Sequence, residues 1–248
     1  MIEERGLGRL RLYNGGMGLL HAVQGIAVLL LSYDFSLPVT AAFMEGPPGT
    51  QATTEELFTL PLGPAVAGFL VLSAVAHVVV AGPGWAKYRR DLAAHRNEQR
   101  WIEYSLSSSL MIVLIAMITG IADVAALVAL FGVNAAMILF GWLQERYEEP
   151  GSGRWWPFVF GCIVGIVPWV AIGIYLLGPT AEIPSFVYAI FVSLFVFFNS
   201  FAINQLLQYR RVGPWRNYRF GEAVYVGLSL VAKSALAWQV FANTLVPT

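Results

Sequence analysis

The chain has 248 residues, 57% of them hydrophobic and only 12% charged, and its basic and acidic residues balance at a net charge of zero. A soluble domain usually carries about 25% charged residues, so this composition excludes one and calls for lipid. At about 20 apolar residues per bilayer crossing, seven crossings with short loops use nearly the whole length, and residues 1–248 read as one membrane domain.

The apolar runs and their interruptions place helices at about 10–33, 61–82, 97–120, 122–144, 155–177, 185–209 and 217–244. The first run follows Arg5, Arg9 and Arg11 as a secretory signal would, but it ends in SYDFSLP without a small-x-small cleavage site and is read as the first span. A long loop, Asp34 to Leu60, precedes the second span. Turn residues punctuate the rest: GPPGT before the second span, AGPG after it, EEPGSG between the fourth and fifth, GP and IP around Glu182, and VGP before the seventh. The single cysteine, Cys162, has no partner for a disulfide or a thiolate metal site.

Lysine and arginine near span ends stay cytoplasmic. Arg5, Arg9 and Arg11 precede the first span; Lys87, Arg89, Arg90, Arg96 and Arg100 separate the second and third; Arg146 and Arg154 separate the fourth and fifth; Arg210, Arg211, Arg216 and Arg219 precede the seventh. All fall on one side, while the opposite loops hold Asp34, Glu45, Glu55, Glu56, Asp123 and Glu182 and no basic residue. The expected fold is therefore an all-α bundle of seven transmembrane helices in the cell membrane, with a cytoplasmic N-terminus and an extracellular C-terminus.

The remaining basic residue, Lys233, sits at the middle of the seventh span, about 13 Å from either end at roughly 1.5 Å per residue. Its side chain, about 6 Å long, cannot snorkel out. Such a charge must face a polar cavity, be paired, or be chemically altered. A helical lysine leans toward its helix N-terminus, here the cytoplasmic side, where Glu103 near the start of the third span lies at a compatible depth and Ser229 is one turn away. Glu103 read alone is an interfacial carboxylate paired with Arg100, and Lys233 read alone suits a transporter cavity. The sharper reading joins them: a desolvated lysine is a nucleophile toward an aldehyde, and the resulting protonated imine needs a carboxylate nearby.

An aldehyde with an apolar tail also needs a slot, for which Phe191, Phe195, Phe197, Phe198 and Phe201 on the sixth span, Asn134 and Met137 on the fourth and Trp169 after Pro168 on the fifth are candidates. Aromatics at this spacing are otherwise ordinary core. On the cytoplasmic half, His21 and Gln24 share one helix face, and Ser73 and His77 another, which suggests a hydrated pocket. Each histidine alone reads as an interhelical hydrogen-bonder, while neutral imidazoles at this depth can also take up a proton.

Seven helices, a lysine central in the seventh and R-x-x-E opening the third resemble the microbial rhodopsins. The stretches RWIEYSLSSSLMIVLIA, FGVNAAMILFGWLQE, FGCIVGIVPW, FVFFNSFA and LSLVAKSALAWQ, with the inverted orientation, resemble one branch, the heliorhodopsins, over essentially the whole chain. The resemblance implies retinal held on Lys233 as a protonated Schiff base with Glu103 as counterion and Ser229 as a hydrogen-bonding partner. It implies pocket positions at Ser107, Tyr104, Asn134, Met137, Phe195, Phe198 and Trp238. It also implies a cytoplasmic polar cavity and its surround at His21, His77, Gln24, Ser73, Asn97, Trp101, Tyr218 and Glu222. The Asp34–Leu60 loop resembles the family's external hairpin, which implies a homodimer.

Rhodopsin-class proton pumps carry a carboxylate where this chain has Ser229, and another eleven residues past the counterion, where it has Leu114. The expectation is therefore a photoreceptor, not an enzyme, that transfers a proton from the Schiff base into the histidine pocket, signals to a cytoplasmic partner and pumps nothing. A light-driven proton or ion conductor is the alternative. A seven-helix zinc hydrolase is the third reading, but His95 lies in a loop, no aspartate lies inside a helix, and Lys233 would go unexplained. Neither a metal nor a nucleic-acid partner is expected.

Overall fold

The computed structural model describes residues 2–178 and 183–246; Glu182, expected in an acidic loop, lies outside them. The elements run α1 (Ile2–Leu31), β1 (Ser36–Met44), β2 (Ala52–Pro61), α2 (Leu62–Ala81), α3 (Trp85–Ala93), α4 (Glu98–Ile118), α5 (Val124–Tyr147), α6 (Trp156–Leu177), α7 (Ser185–Tyr209) and α8 (Tyr218–Val240), with a 3₁₀ turn at Gly213–Arg216 and a closing π-turn at Phe241–Leu245. Seven of these helices, all but α3, are long and apolar enough to span a bilayer. Neighbouring helices pack in a ring, α1–α2–α4–α5–α6–α7–α8 and back to α1, with α4 the most buried span.

Local chemistry starts the helices where the apolar pattern expects them. Asn97 accepts the Arg100 N–H at 3.1 Å, Asp123 accepts Ala125 and Ala126 at 3.0 and 3.1 Å, and Asn217 accepts Arg219 at 3.0 Å. Each side chain satisfies amide groups that the first helical turn leaves without partners. Two elements depart from expectation. The first helix begins at Ile2, because the polar residues before Leu10 continue the helix beyond the apolar run. The second basic loop holds the amphipathic α3, whose Tyr88 and Leu92, one turn apart, are buried.

The Asp34–Leu60 loop forms an antiparallel hairpin with a bulge between Val39 and Thr40. Val39 and Ala41 face inward, and the Thr40 N–H donates to the Ala122 carbonyl at 2.9 Å, docking the hairpin on the α4–α5 turn. β2 is exposed along nearly its whole length. One end of the molecule thus carries the hairpin, and the other carries the arginine-rich segments.

The hairpin-side half of the bundle is a dense apolar plug. Leu62, Val66, Phe69 and Leu70 of α2, Ile112, Leu114 and Ile115 of α4, Ile172 of α6 and Leu236 and Val240 of α8 are fully buried there. Buried polar groups concentrate from the level of Lys233 toward the basic end.

Candidate functional site

Lys233 is 3% exposed at the centre of α8. An ammonium has three N–H donors, and all three are matched: Glu103 Oε1 of α4 at 2.7 Å, Ser73 Oγ of α2 at 2.5 Å and Ser229 Oγ one turn earlier on α8 at 3.0 Å. Ser73 in turn donates to Glu103 Oε1 at 2.6 Å. A buried ion pair persists only when its remaining polar capacity is satisfied, and the two serines do that here. Lys233, Glu103 and Ser229 meet as expected. Ser73 is a correction: it belongs to this cluster and not with the histidines, because α2 brings it to the depth of Glu103.

From the lysine a slot opens among α4, α5, α6 and α7, with about 1060 Å³ of unfilled space, its mouth included. Tyr104, Ser107, Met137, Trp169, Phe195, Phe198 and Phe201 line it as expected, joined by Met111 and Trp101. Trp169 meets Phe195 and Phe198 edge-on, with ring centroids 5.3 and 5.4 Å away. Tyr104 is fixed by its hydroxyl, which donates to the Tyr225 carbonyl at 2.9 Å. Gly165 keeps the slot open beside Met137, since a Cβ there would collide with the thioether.

Four expected wall residues, Phe191, Phe197, Asn134 and Trp238, are not part of that lining. Asn134 donates to Ser108 and Ser109 at 2.8 and 3.1 Å and so ties α5 to α4. Trp238 is 38% exposed, and its indole donates to Gln24 Oε1 at 2.8 Å. Five residues past Lys233 at roughly 100° each, it sits about 140° around α8 from the lysine.

The histidines do form a pair. His21 and His77 stack with centroids 5.6 Å apart and planes 13° from parallel. Gly18 permits this, because a Cβ there would stand 2.9 Å from His77 Cβ. His77 Nδ1 is 2.9 Å from Asn14 Oδ1, whereas both nitrogens of the fully buried His21 lack a hydrogen-bond partner among the described residues. His77 stands one turn beyond Ser73 toward the basic end. Gln24, expected here, is turned to Trp238. Asn14 was missed, although it lies two turns before His21 on the same helix face.

Asn97, Trp101, Tyr218 and Glu222 gather not around the histidines but around Arg100, which is 6% exposed. Its guanidinium bonds Glu222 Oε2 and, at 2.6 Å, Glu145 Oε1. Glu145 also accepts the Trp101 indole at 2.5 Å, the Tyr218 hydroxyl at 2.6 Å and the Asn97 amide at 2.9 Å; Glu222 accepts Asn97 Nδ2 at 2.6 Å and Tyr88 at 3.1 Å. Burial, and then the Glu222 carboxylate, push the Tyr88 hydroxyl well above the usual tyrosine range, so it stays a donor. Arg100, in the first turn of α4, thus turns into the bundle and not toward the surrounding surface. This sets aside the pairing of Arg100 with Glu103. Glu145 and Tyr88 carried no separate signal, because charges and tyrosines at span ends look like interface residues.

A buried amine at the head of an aromatic-walled slot, with a carboxylate at contact distance, suits an aldehyde on a long apolar tail. Its walls are mostly apolar, and polar groups converge only at the lysine end, the usual build of a small-molecule site. No curated protein matches the chain. A family model described as Heliorhodopsin matches residues 10–245. The chain therefore belongs to the heliorhodopsin family and is a rhodopsin-type, retinal-binding, light-sensing protein that crosses the membrane several times.

Proposed function

We propose that Lys233 carries retinal covalently, that Glu103 is the counterion to its nitrogen, and that the protein is a photosensor without net ion pumping, its basic end facing the cytoplasm. The observation that carries this is the contact of buried Lys233 with Glu103, Ser73 and Ser229 at the head of the slot. Retinal, when bound, supplies an aldehyde carbon that condenses with the amine, releasing water, and a polyene that isomerises on absorbing light.

The chain's own residues do the rest. Glu103 offsets the positive charge on the nitrogen, and Ser73 and Ser229 fix both partners. His77, one turn from Ser73, leads to His21, a second imidazole with one ring nitrogen that can accept a proton. Trp101 both lines the slot and donates to Glu145, so a shape change in the slot reaches the Arg100 network at the cytoplasmic end. A signalling partner at that end and a homodimer belong to the same reading; β2 offers an exposed, unpaired edge for the dimer.

Conduction is the second reading, and the buried carboxylates Glu145 and Glu222 favour it, since they make the cytoplasmic half polar. It requires a route through the apolar plug, where Leu114 and Ile115 are fully buried. Vesicles containing the retinal-loaded protein should show no lasting pH change on illumination. A sustained signed current would overturn the sensor reading in favour of conduction. Glu103→Gln should move the visible band to longer wavelength, because the anion that holds positive charge at the nitrogen is removed. A band that does not move reassigns the counterion.

A further inference from the structure

Outside the slot and the charge network, a groove of about 1790 Å³, mouth included, runs between α1 and α8 at the basic end, closed above by the end of α3. None of the described residues that line it is acidic. Arg9 is exposed and has no carboxylate partner among the described residues. His95, in a left-handed backbone conformation (φ 55°), lays its ring on Tyr218 with centroids 5.4 Å apart. Arg219, already engaged in a contact of its own, lines the same wall.

Depth identifies the occupant. At about 1.5 Å per residue, Arg9 stands about 33 Å from Leu31, just beyond a hydrocarbon core of about 30 Å. Arg219, in the first turn of α8, and His95, just before α4, are at the same end. The cationic rim therefore lies at the level of lipid phosphates. Below it, toward the bilayer centre, Leu10, Ala223 and the partly exposed Phe220 give an apolar wall. With the basic end cytoplasmic, the proposed orientation on which this inference rests, basic pockets between spans take anionic headgroups.

We propose that this groove binds one anionic phospholipid of the leaflet at the basic end, its phosphate between Arg9 and His95 and an acyl chain along Leu10 and Phe220. Native mass spectrometry of the full-length protein, titrated with phosphatidylglycerol and with phosphatidylcholine of the same chains, tests this. The wild type should bind one phosphatidylglycerol about fivefold more tightly, the ratio that one arginine near a membrane surface gives. Arg9→Gln with His95→Gln should lose most of that preference at an unchanged melting temperature, and Arg9→Lys should keep it. Equal binding of the two lipids, or an undiminished preference in the double variant, would overturn the proposal. So would displacement of the lipid by an equal concentration of inorganic phosphate, which would mark the groove as a site for free anions.

Discussion

Lys233→Ala, expressed with all-trans retinal, stays colourless, whereas the wild type shows a visible band that hydroxylamine bleaches. The substitution removes the one buried amine that faces the slot, and among the described residues no other lysine lies near it: Lys87 is in α3, paired with Asp91 and Glu98 at the basic end. The loss should be complete, since no neighbouring nucleophile can substitute for it. The variant also relieves a buried charge but strands Glu103, which keeps only the Ser73 hydroxyl of its two close partners. Folding must therefore be checked separately, and Lys233→Met with Glu103→Gln removes both charges together. A band in either variant would show that the retinal is held elsewhere.

Arg100→Met should destabilise the bundle by about 3–5 kcal/mol, because it leaves two buried carboxylates facing each other without a cation. Glu145 and Glu222 retain their neutral donors, but these do not cancel the like-charge repulsion. Since whole domains are stable by about 5–15 kcal/mol, the purified variant should melt far below the wild type or fail to accumulate. Adding Glu145→Gln and Glu222→Gln should recover much of the loss, because the repulsion is then gone. A melting temperature for Arg100→Met equal to that of the wild type would mean that the network contributes nothing to stability.

The sequence revealed what bulk physical chemistry controls. Apolar length located seven spans, arginine placement grouped their ends, and one lysine in the wrong solvent pointed to the site. Helix geometry brought Glu103 and Ser229 to it, since both conclusions depend only on depth and on residues one turn apart. Rotation about a helix axis was harder to read, because it is set by packing with partners distant in sequence. Trp238 and Gln24 were assigned inward and instead bond each other. Asn134 was assigned to the slot and is spent on two α4 serines. The Arg100 network was the largest omission. Charges in the first or last turn of a span have the same composition whether they face headgroups or each other, and only the meeting of α4, α5 and α8 distinguishes the two.

The division of the bundle into a polar half and an apolar plug also determines how it meets the membrane voltage. A transmembrane potential falls mainly across the least polarisable layer, which here is the plug of α2, α4, α6, α7 and α8 side chains on the hairpin side. A full elementary charge carried across 100 mV is worth about 2.3 kcal/mol. A proton passing from the level of Lys233 to His77 or His21 stays within the polar half and crosses little of that drop. Under the proposed function, that transfer would be electrically almost silent, with a rate nearly independent of whether the cell is energised.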